Sequence, residues 1–294
     1  MSFSQLKKKS QANIDALSRE IDKISKGSES YKDDRFWSPE RDKSGNGYAV
    51  IRFLPPAEGE DLPWARMFSH GFQGKGGWFI ENCPTTLGLP CPVCEANNEL
   101  WNSGVESDKE IARQRKRKLS YISNIYVVSD PANKQNEGKV FLYKYGKKIF
   151  DKISEKMKPQ FEDESPMNPF DFWAGANFKL KIRTVQGYVN YDKSEFDTPE
   201  AFLGGNDKDL EKIWNMQYSL REFTNPSQFK SYEDLTSKMK QVLSGSSAGK
   251  SSVAEESDSS SFEKAFPSKP KKETFDSDED DDAMSYFEKL VDDE

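Results

Sequence analysis

Long apolar runs are missing from this sequence. No stretch approaches eighteen consecutive apolar residues, which argues against a membrane-spanning helix. The N-terminus, MSFSQLKKKSQANIDALSREIDKIS, is basic but has no continuous apolar region behind it, so it does not read as a secretory signal. Histidine occurs once and cysteine three times. Three cysteines clustered with a histidine do not make an extracellular disulfide framework, and the protein is expected to be intracellular. A phosphate-cradling G-x4-G-K-[ST] loop is also absent. GSSAGKSS ends in Gly-Lys-Ser but lacks the first glycine, and no strand precedes it, so an ATPase is not expected.

The scarce residues sit together. His70, Cys83, Cys91 and Cys94 fall within 25 consecutive positions, spaced His-x12-Cys-x7-Cys-x2-Cys. The Cys-x2-Cys pair allows two thiolates to hold one ion from a tight turn, which Pro90 and Pro92 stiffen. The glycines of GKGGW let the chain double back, so that His70 and Cys83 can complete a tetrahedron. Three sulfurs and an imidazole suit Zn²⁺ better than Mg²⁺ or Ca²⁺. Buried apolar cysteines would not cluster so tightly. A redox pair at Cys91 and Cys94 would leave Cys83 and His70 unexplained. PCPVC matches half of the zinc-deaminase pattern, but His70-Gly71-Phe72 stands where H-x-E is required. Cys83 would also fill the position where a catalytic zinc keeps its water. One structural Zn²⁺ and no catalytic residues are therefore expected.

Charge is distributed unevenly. Net charge is −7, yet residues 273–294 alone hold eleven acids and one lysine, a net of −10, which leaves +3 on the rest. Such a tail is expected to be solvated, or to compete with an anionic ligand for a basic groove. With 34% hydrophobic and 32% charged residues, the chain should have a modest core with polar segments attached.

The periodicity gives a coarse map. Ile14, Leu17, Ile21 and Ile24 mark an amphipathic helix within residues 4–25, with Lys7, Lys8 and Lys9 at its start. YAVIRFLP (48–55) reads as a strand, 95–118 as partly helical and 119–131 as β-rich. The segment 139–157 reads as a strand, a turn at Gly146 and a helix. In NFKLKIRTVQGYVNY, Phe178, Leu180 and Ile182 alternate with Lys179, Lys181 and Arg183, one apolar face against one cationic face. GGNDKDLEKIWNMQYSL and KSYEDLTSKMKQVL read as helices, and the Ser-rich stretch after Leu243 as a flexible linker. Three parts follow: an arm (1–26), an ordered body (27–243), and a linker with acidic tail (244–294). The body is expected to be a small barrel with embellishments.

Basic residues recur beside aromatic ones. RQRKRKLSY holds Lys116, Arg117, Lys118 and Tyr121, with Trp101 just before it. YKYGKKIF holds Tyr143, Tyr145, Lys147 and Lys148, and Tyr188 and Tyr191 close the cationic strand. Single-stranded nucleic acid requires this pairing: cations neutralise phosphates, and rings stack on bases at about 1–3 kcal/mol each. Duplex DNA hides its base faces. OB-type barrels are a frequent platform for such binding.

At these residues the sequence resembles the single-stranded-DNA-binding, helix-destabilising proteins of the T-even-type bacteriophages. The matching stretches are NGYAVIRFLP, HGF, CPVC, KRKLSYISNI, DPANKQNEGKVFLYKYGKKIFDKI, GANFKLKI and GYVNYDKSEF, from about Gly45 to Phe196. The resemblance implies an α+β protein with a mainly β core, a five-stranded OB-fold barrel with a zinc-containing subdomain and covering helices. It implies that His70, Cys83, Cys91 and Cys94 bind the metal. Lys116, Arg117, Lys118, Tyr121, Tyr143, Lys147, Tyr188 and Tyr191 are implied to line the DNA groove. The arm, through Lys7, Lys8, Lys9 and Ser10, is implied to bind neighbouring copies. The tail is implied to contact replication, recombination and repair proteins in the infected bacterial cytoplasm. Gln11 and Leu119 depart from the family's basic-plus-Ser/Thr motif, and the Cys83–Cys91 interval is shorter than the family pattern. An RNA-binding regulator on the same fold, and a zinc-dependent nucleic-acid enzyme, are the competing readings.

Overall fold

Gly47–Phe53 (β2) begins where Gly45, at φ 81°, turns the chain, and it stops before Pro55 and Pro56, which cannot donate to a ladder. The computed structural model describes residues 33–161 and 163–244. Lys7 to Ser10, the linker and the acidic tail lie outside the described residues. The chain divides into two compact units, Met1–Trp37 and Ser38–Glu294. Of the first, the described part is a short strand, Phe36–Trp37 (β1), preceded by an Asp33–Arg35 ion pair at 2.7 Å.

In the second unit one large sheet carries the architecture. Its strands are β2, β3 (Ala65–Gly74), β4 (Gly77–Asn82), β5 (Lys118–Ser129), β6 (Val140–Tyr145), β7 (Phe178–Val185), β8 (Tyr188–Asn190) and β9 (Glu195–Phe196). All the ladders are antiparallel. The long strand β5 organises them. Its first half pairs with β3 (Tyr121 opposite Arg66), its second half pairs with β2 (Ile125 opposite Phe53), and β6 runs along its other edge. β7 joins the far side of β2, with Tyr48 opposite Lys181 and Ile51 opposite Phe178. Among the described residues the ladders form an open path from β6 through β5, β2 and β7 to β8. The observed fold is thus mixed α+β with a large sheet, and its strand pairing does not close the five-stranded barrel expected from the sequence.

Five α-helices accompany the sheet among the described residues: α1 (Pro92–Asn102), α2 (Glu106–Arg115), α3 (Lys147–Met157), α4 (Asp207–Asn215) and α5 (Tyr232–Ser244). Each has a local cause. α1 starts with Pro92 in its first turn, where a missing N–H costs nothing. α4 is capped by the Asn206 side chain, which accepts from Lys208 N, and it buries Leu210 and Ile213. It is shorter than the helix read from GGNDKDLEKIWNMQYSL, because Gly204 and Gly205 hold positive φ and the helix is capped at Met216. α5 buries Leu235, Met239 and Val242, spaced four and three apart.

The chain doubles back at GKGGW as the glycines suggest, but the flanking strands β3 and β4 were not foreseen from sequence. The two-residue loop of this hairpin, Lys75-Gly76, lies against the end of α5, and Gly76 N donates to Val242 O at 2.7 Å. A β-carbon at Gly74 or Gly76 would run into the backbone of Val242 or Gln241. Phe68, Phe72, Phe79, Cys83, Cys91 and Val93 form one small core with the buried face of α5. No helix among the described residues is long and apolar enough to cross a membrane.

Candidate metal centre and nucleic-acid interface

The four scarce residues meet. β3 supplies His70, the end of the hairpin supplies Cys83, and the start of α1 supplies Cys91 and Cys94. Their ligand atoms all lie within 4.8 Å of one another. Cys83 Sγ is 3.6 Å from Cys94 Sγ, and His70 Nε2 is 3.6 Å from Cys91 Sγ and 3.4 Å from Cys94 Sγ. Metal–sulfur bonds of about 2.3 Å and metal–nitrogen bonds of about 2.0 Å would set tetrahedral edges of roughly 3.5–3.8 Å. The donor spacing fits an ion of that kind.

The surroundings fit it too. His70 Nδ1 lies 3.0 Å from the Arg115 carbonyl, which only a protonated Nδ1 can satisfy, so Nε2 faces the sulfurs and is the atom a metal ion would take. Burial disfavours the charged His70 ring, but hydrogen bonds and charge from Cys83 and Cys91 outweigh this and lift it to about 9. Hydrogen bonding from Cys91 and Cys94 pulls the Cys83 thiol far down, whereas Cys83 and Cys91 push Cys94 far up. Sulfurs this close cannot all be thiolates unless a cation lies among them. The group can therefore hold a metal ion, and a soft, tetrahedral one suits the donors best.

Downstream of the cluster, the sequence-assigned cations and rings differ in exposure. Lys116 and Arg117 are half-buried and Lys118 is exposed. Arg117 sits 4.2 Å from the centroid of Phe68, and Arg66 lies 4.8 Å from the same ring. Trp101 is half-buried with Arg113 5.6 Å from its centroid. Lys147 and Lys148 are exposed at the start of α3, and Lys147 is 3.9 Å from Asp151.

Three of the assigned tyrosines and two of the strand lysines have partners within the protein. Tyr121, Tyr143 and Tyr145 are buried, with 7%, 4% and 4% of their surface exposed, so in this conformation their ring faces are covered rather than open to bases. Tyr121 stacks on Phe150 of α3 at 3.8 Å, Tyr145 packs on Phe53 at 5.6 Å, and its hydroxyl meets Ser123 Oγ at 2.9 Å. The cause is register: these tyrosines stand on the same sheet face as Phe53, which α3 covers. Burial also raises the Tyr143 hydroxyl well above its ordinary pKa. On β7 the lysines are not a bare row: Lys179 pairs with Asp197 at 2.6 Å and Lys181 with Glu195 at 2.7 Å. Arg183 and Tyr188 are exposed, Tyr188 at 60%, and Tyr191 is half-buried near Tyr143.

Four residues were missed. Tyr48 is 43% exposed opposite Lys181, and the alternation of GYAVIRF could have placed it there. Arg66 required the β3–β4 hairpin to be seen. Arg115 and Thr85 carried no sequence signal, because they act through a backbone carbonyl and a single hydroxyl.

A separate cavity of about 480 Å³ is lined by Pro55, Phe172, Trp173, Leu210 and Trp214, with Asp207 and Glu211 beside them. Its carboxylates repel phosphate, so it lies off any path for a nucleic-acid backbone.

Comparison with known proteins agrees with the resemblance read from sequence. A family model described as gp32 DNA binding protein like matches residues 45–243. The single-stranded DNA-binding protein of Enterobacteria phage T2 is 42% identical over 230 residues, 76% of this chain and 75% of its own length. That of Enterobacteria phage T4 is 43% identical over 213 residues, 70% of this chain and 69% of its own length. With the match spanning the His70–Cys cluster, β5 and most of α5, the chain belongs to the gp32 DNA-binding-protein-like family.

Proposed function

We propose that the protein binds single-stranded DNA without sequence preference and coats it cooperatively during phage DNA replication, recombination and repair. It is not an enzyme in this reading. One observation carries the proposal: the cations Lys116–Lys118 lead directly into β5, whose Tyr121 belongs to the aromatic cluster under α3. Phosphates meet the cations, and bases meet the accessible rings: Tyr191 near Tyr143, and Tyr48 and Tyr188 on the cationic face of β2, β7 and β8. The names of the phage T2 and T4 relatives support the same ligand. An OB-type barrel built around β5 is the platform in this reading.

His70, Cys83, Cys91 and Cys94 would hold one Zn²⁺, which supplies a cross-link between β3, the hairpin end and α1 rather than chemistry. The arm, through Lys7–Ser10, joins neighbouring copies on the strand. The tail from residue 244 contacts replication, recombination and repair proteins in the host cytoplasm.

The test is titration of intrinsic fluorescence with poly(dT) at several salt concentrations. Quenching should occur, and log K should fall against log salt by about 0.7 for each phosphate contacted. Indifference to salt, or tighter binding to duplex, sinks the proposal. Preference for a matched RNA oligomer would replace it with the RNA-binding reading.

A further inference from the structure

The metal cluster and the basic segment are wired together twice. His70 reaches the Arg115 carbonyl, at 3.0 Å, through its Nδ1. Cys83 Sγ lies 3.1 Å from Thr85 Oγ1, and the same oxygen accepts from Arg117 Nη1 at 3.1 Å. We infer that Thr85, anchored beside Cys83, is a positioning residue that aims Arg117 at a nucleic-acid phosphate. This inference rests on the single-strand-binding reading above.

The proton count sets the direction of the link. A threonine hydroxyl has one proton to give and lone pairs to accept with. Because Arg117 only donates, Thr85 Oγ1 accepts from it and directs its own proton elsewhere. Cys83 Sγ, 3.1 Å away, is the partner within reach of that proton, so one hydroxyl bridges the guanidinium and the sulfur cluster.

The geometry makes this a matter of aim rather than of fold. The turn Pro84–Leu87 is pinned to β3 by a different residue, since Phe68 N donates to Thr86 Oγ1 at 2.9 Å. Gly88 closes the turn at φ 74°, with its N–H on the carbonyls of Pro84 and Thr85. The Thr85 hydroxyl is not needed for either contact. On Arg117 the hydroxyl fixes one nitrogen of the fork while the Phe68 ring, 4.2 Å away, supports the guanidinium. A guanidinium held in place loses less rotamer freedom when it meets a phosphate.

The test uses full-length, metal-loaded protein and an oligo(dT) probe. Thr85→Val should keep one equivalent of metal and an unchanged cobalt–thiolate absorption spectrum. Its oligo(dT) affinity should fall about threefold to tenfold, the effect of one ordinary lost hydrogen bond, because the Phe68 ring still supports the guanidinium. The salt dependence should flatten by about 0.7, the signature of one lost phosphate contact. Thr85→Ser, which keeps the hydroxyl, should restore both. Arg117→Gln should reproduce the loss, and adding Thr85→Val to it should cost nothing further. Additive losses, or an unchanged salt slope in Thr85→Val, overturn the inference. So does loss of metal from Thr85→Val, which would make Thr85 a support of the ligand alone. If the parent protein fails to bind oligo(dT), the function proposed above fails with it; if only the variant pattern fails, that function stands.

Discussion

Arg52 sits on β2 with none of its surface exposed, between the sheet and the segments around Asp171 and Glu200. Its Nη2 donates to the carbonyls of Asp171 at 2.8 Å, Glu200 at 3.1 Å and Phe172 at 3.4 Å. Burial lowers its pKa, and the charges of Glu200 and Asp171 work against that. The charge is retained because one cation ties two distant loops to the central strand. Arg52→Met should therefore destabilise the protein by about 2–4 kcal/mol in urea unfolding, since the carbonyls of Asp171, Phe172 and Glu200 lose a charged donor. Metal content should not change. Equal stability would mean that water replaces the arginine. In the sequence this residue is one polar letter in YAVIRFLP, and nothing there announces a buried charge. The His70–Cys cluster was legible because histidine and cysteine are so scarce that their grouping is informative. The burial of Tyr121 was not, because a tyrosine beside lysines reads the same in a core as in a groove; only the position of α3 decides which face is covered.

Among the elements, β7 was the most legible and its neighbour β9 the least. The alternation of Phe178, Leu180 and Ile182 with Lys179 and Lys181 is visible in eight letters, and the burial follows it. β9 is two residues long, too short for any periodicity, yet its Glu195 and the adjacent Asp197 neutralise the β7 lysines. The strands β3 and β4 escaped for a related reason: the glycines of GKGGW look like a loop, whereas two of them are there to let α5 approach. The pairing on β7 has a consequence for binding. Phosphate must displace a carboxylate before it can use Lys179 or Lys181. The double variant Glu195→Gln, Asp197→Asn should bind oligo(dT) more tightly, with a salt slope steeper by up to about 1.4 if both lysines then take a phosphate. An unchanged slope would place the strand elsewhere. The pH sign is fixed by the same pairs. Hydrogen bonds from Lys181 and Lys179 hold Glu195 and Asp197 below the usual carboxylate range. Their stabilising contribution is complete above the unfolded-state carboxylate pKa and is lost as pH falls through the lowered folded values. Mild acid should therefore not mimic the double variant.

At the scale of the molecule, the metal cluster lies where segments far apart in sequence are held together. α5 comes some 140 residues after Cys91, yet Leu235, Met239 and Val242 share a core with Cys83 and Cys91. Glu81, near the end of the hairpin, pairs with Lys230 at 2.6 Å and with Lys238 of α5. Tyr232 donates to Glu95 of α1 at 2.6 Å. No local pattern predicts such docking, because it depends on shape and charge meeting over long separations. The rest of the sheet has its own core, with Ile51, Phe53, Phe178 and Leu180 fully buried around β2 and β7. Removing the metal should accordingly loosen one part and spare the other. Under a competing chelator, amide exchange protection should fall together across residues 65–102 and 232–244, while Phe178–Val185 keeps its protection. Arg117 lies in the loosened part's path through Thr85 and Phe68, so oligo(dT) affinity should fall along with that local loss. If protection fell equally in β7, the cluster would be holding the whole fold. If protection were lost around the cluster but affinity stayed constant, the strand would run along β7 and β8 without using the basic segment.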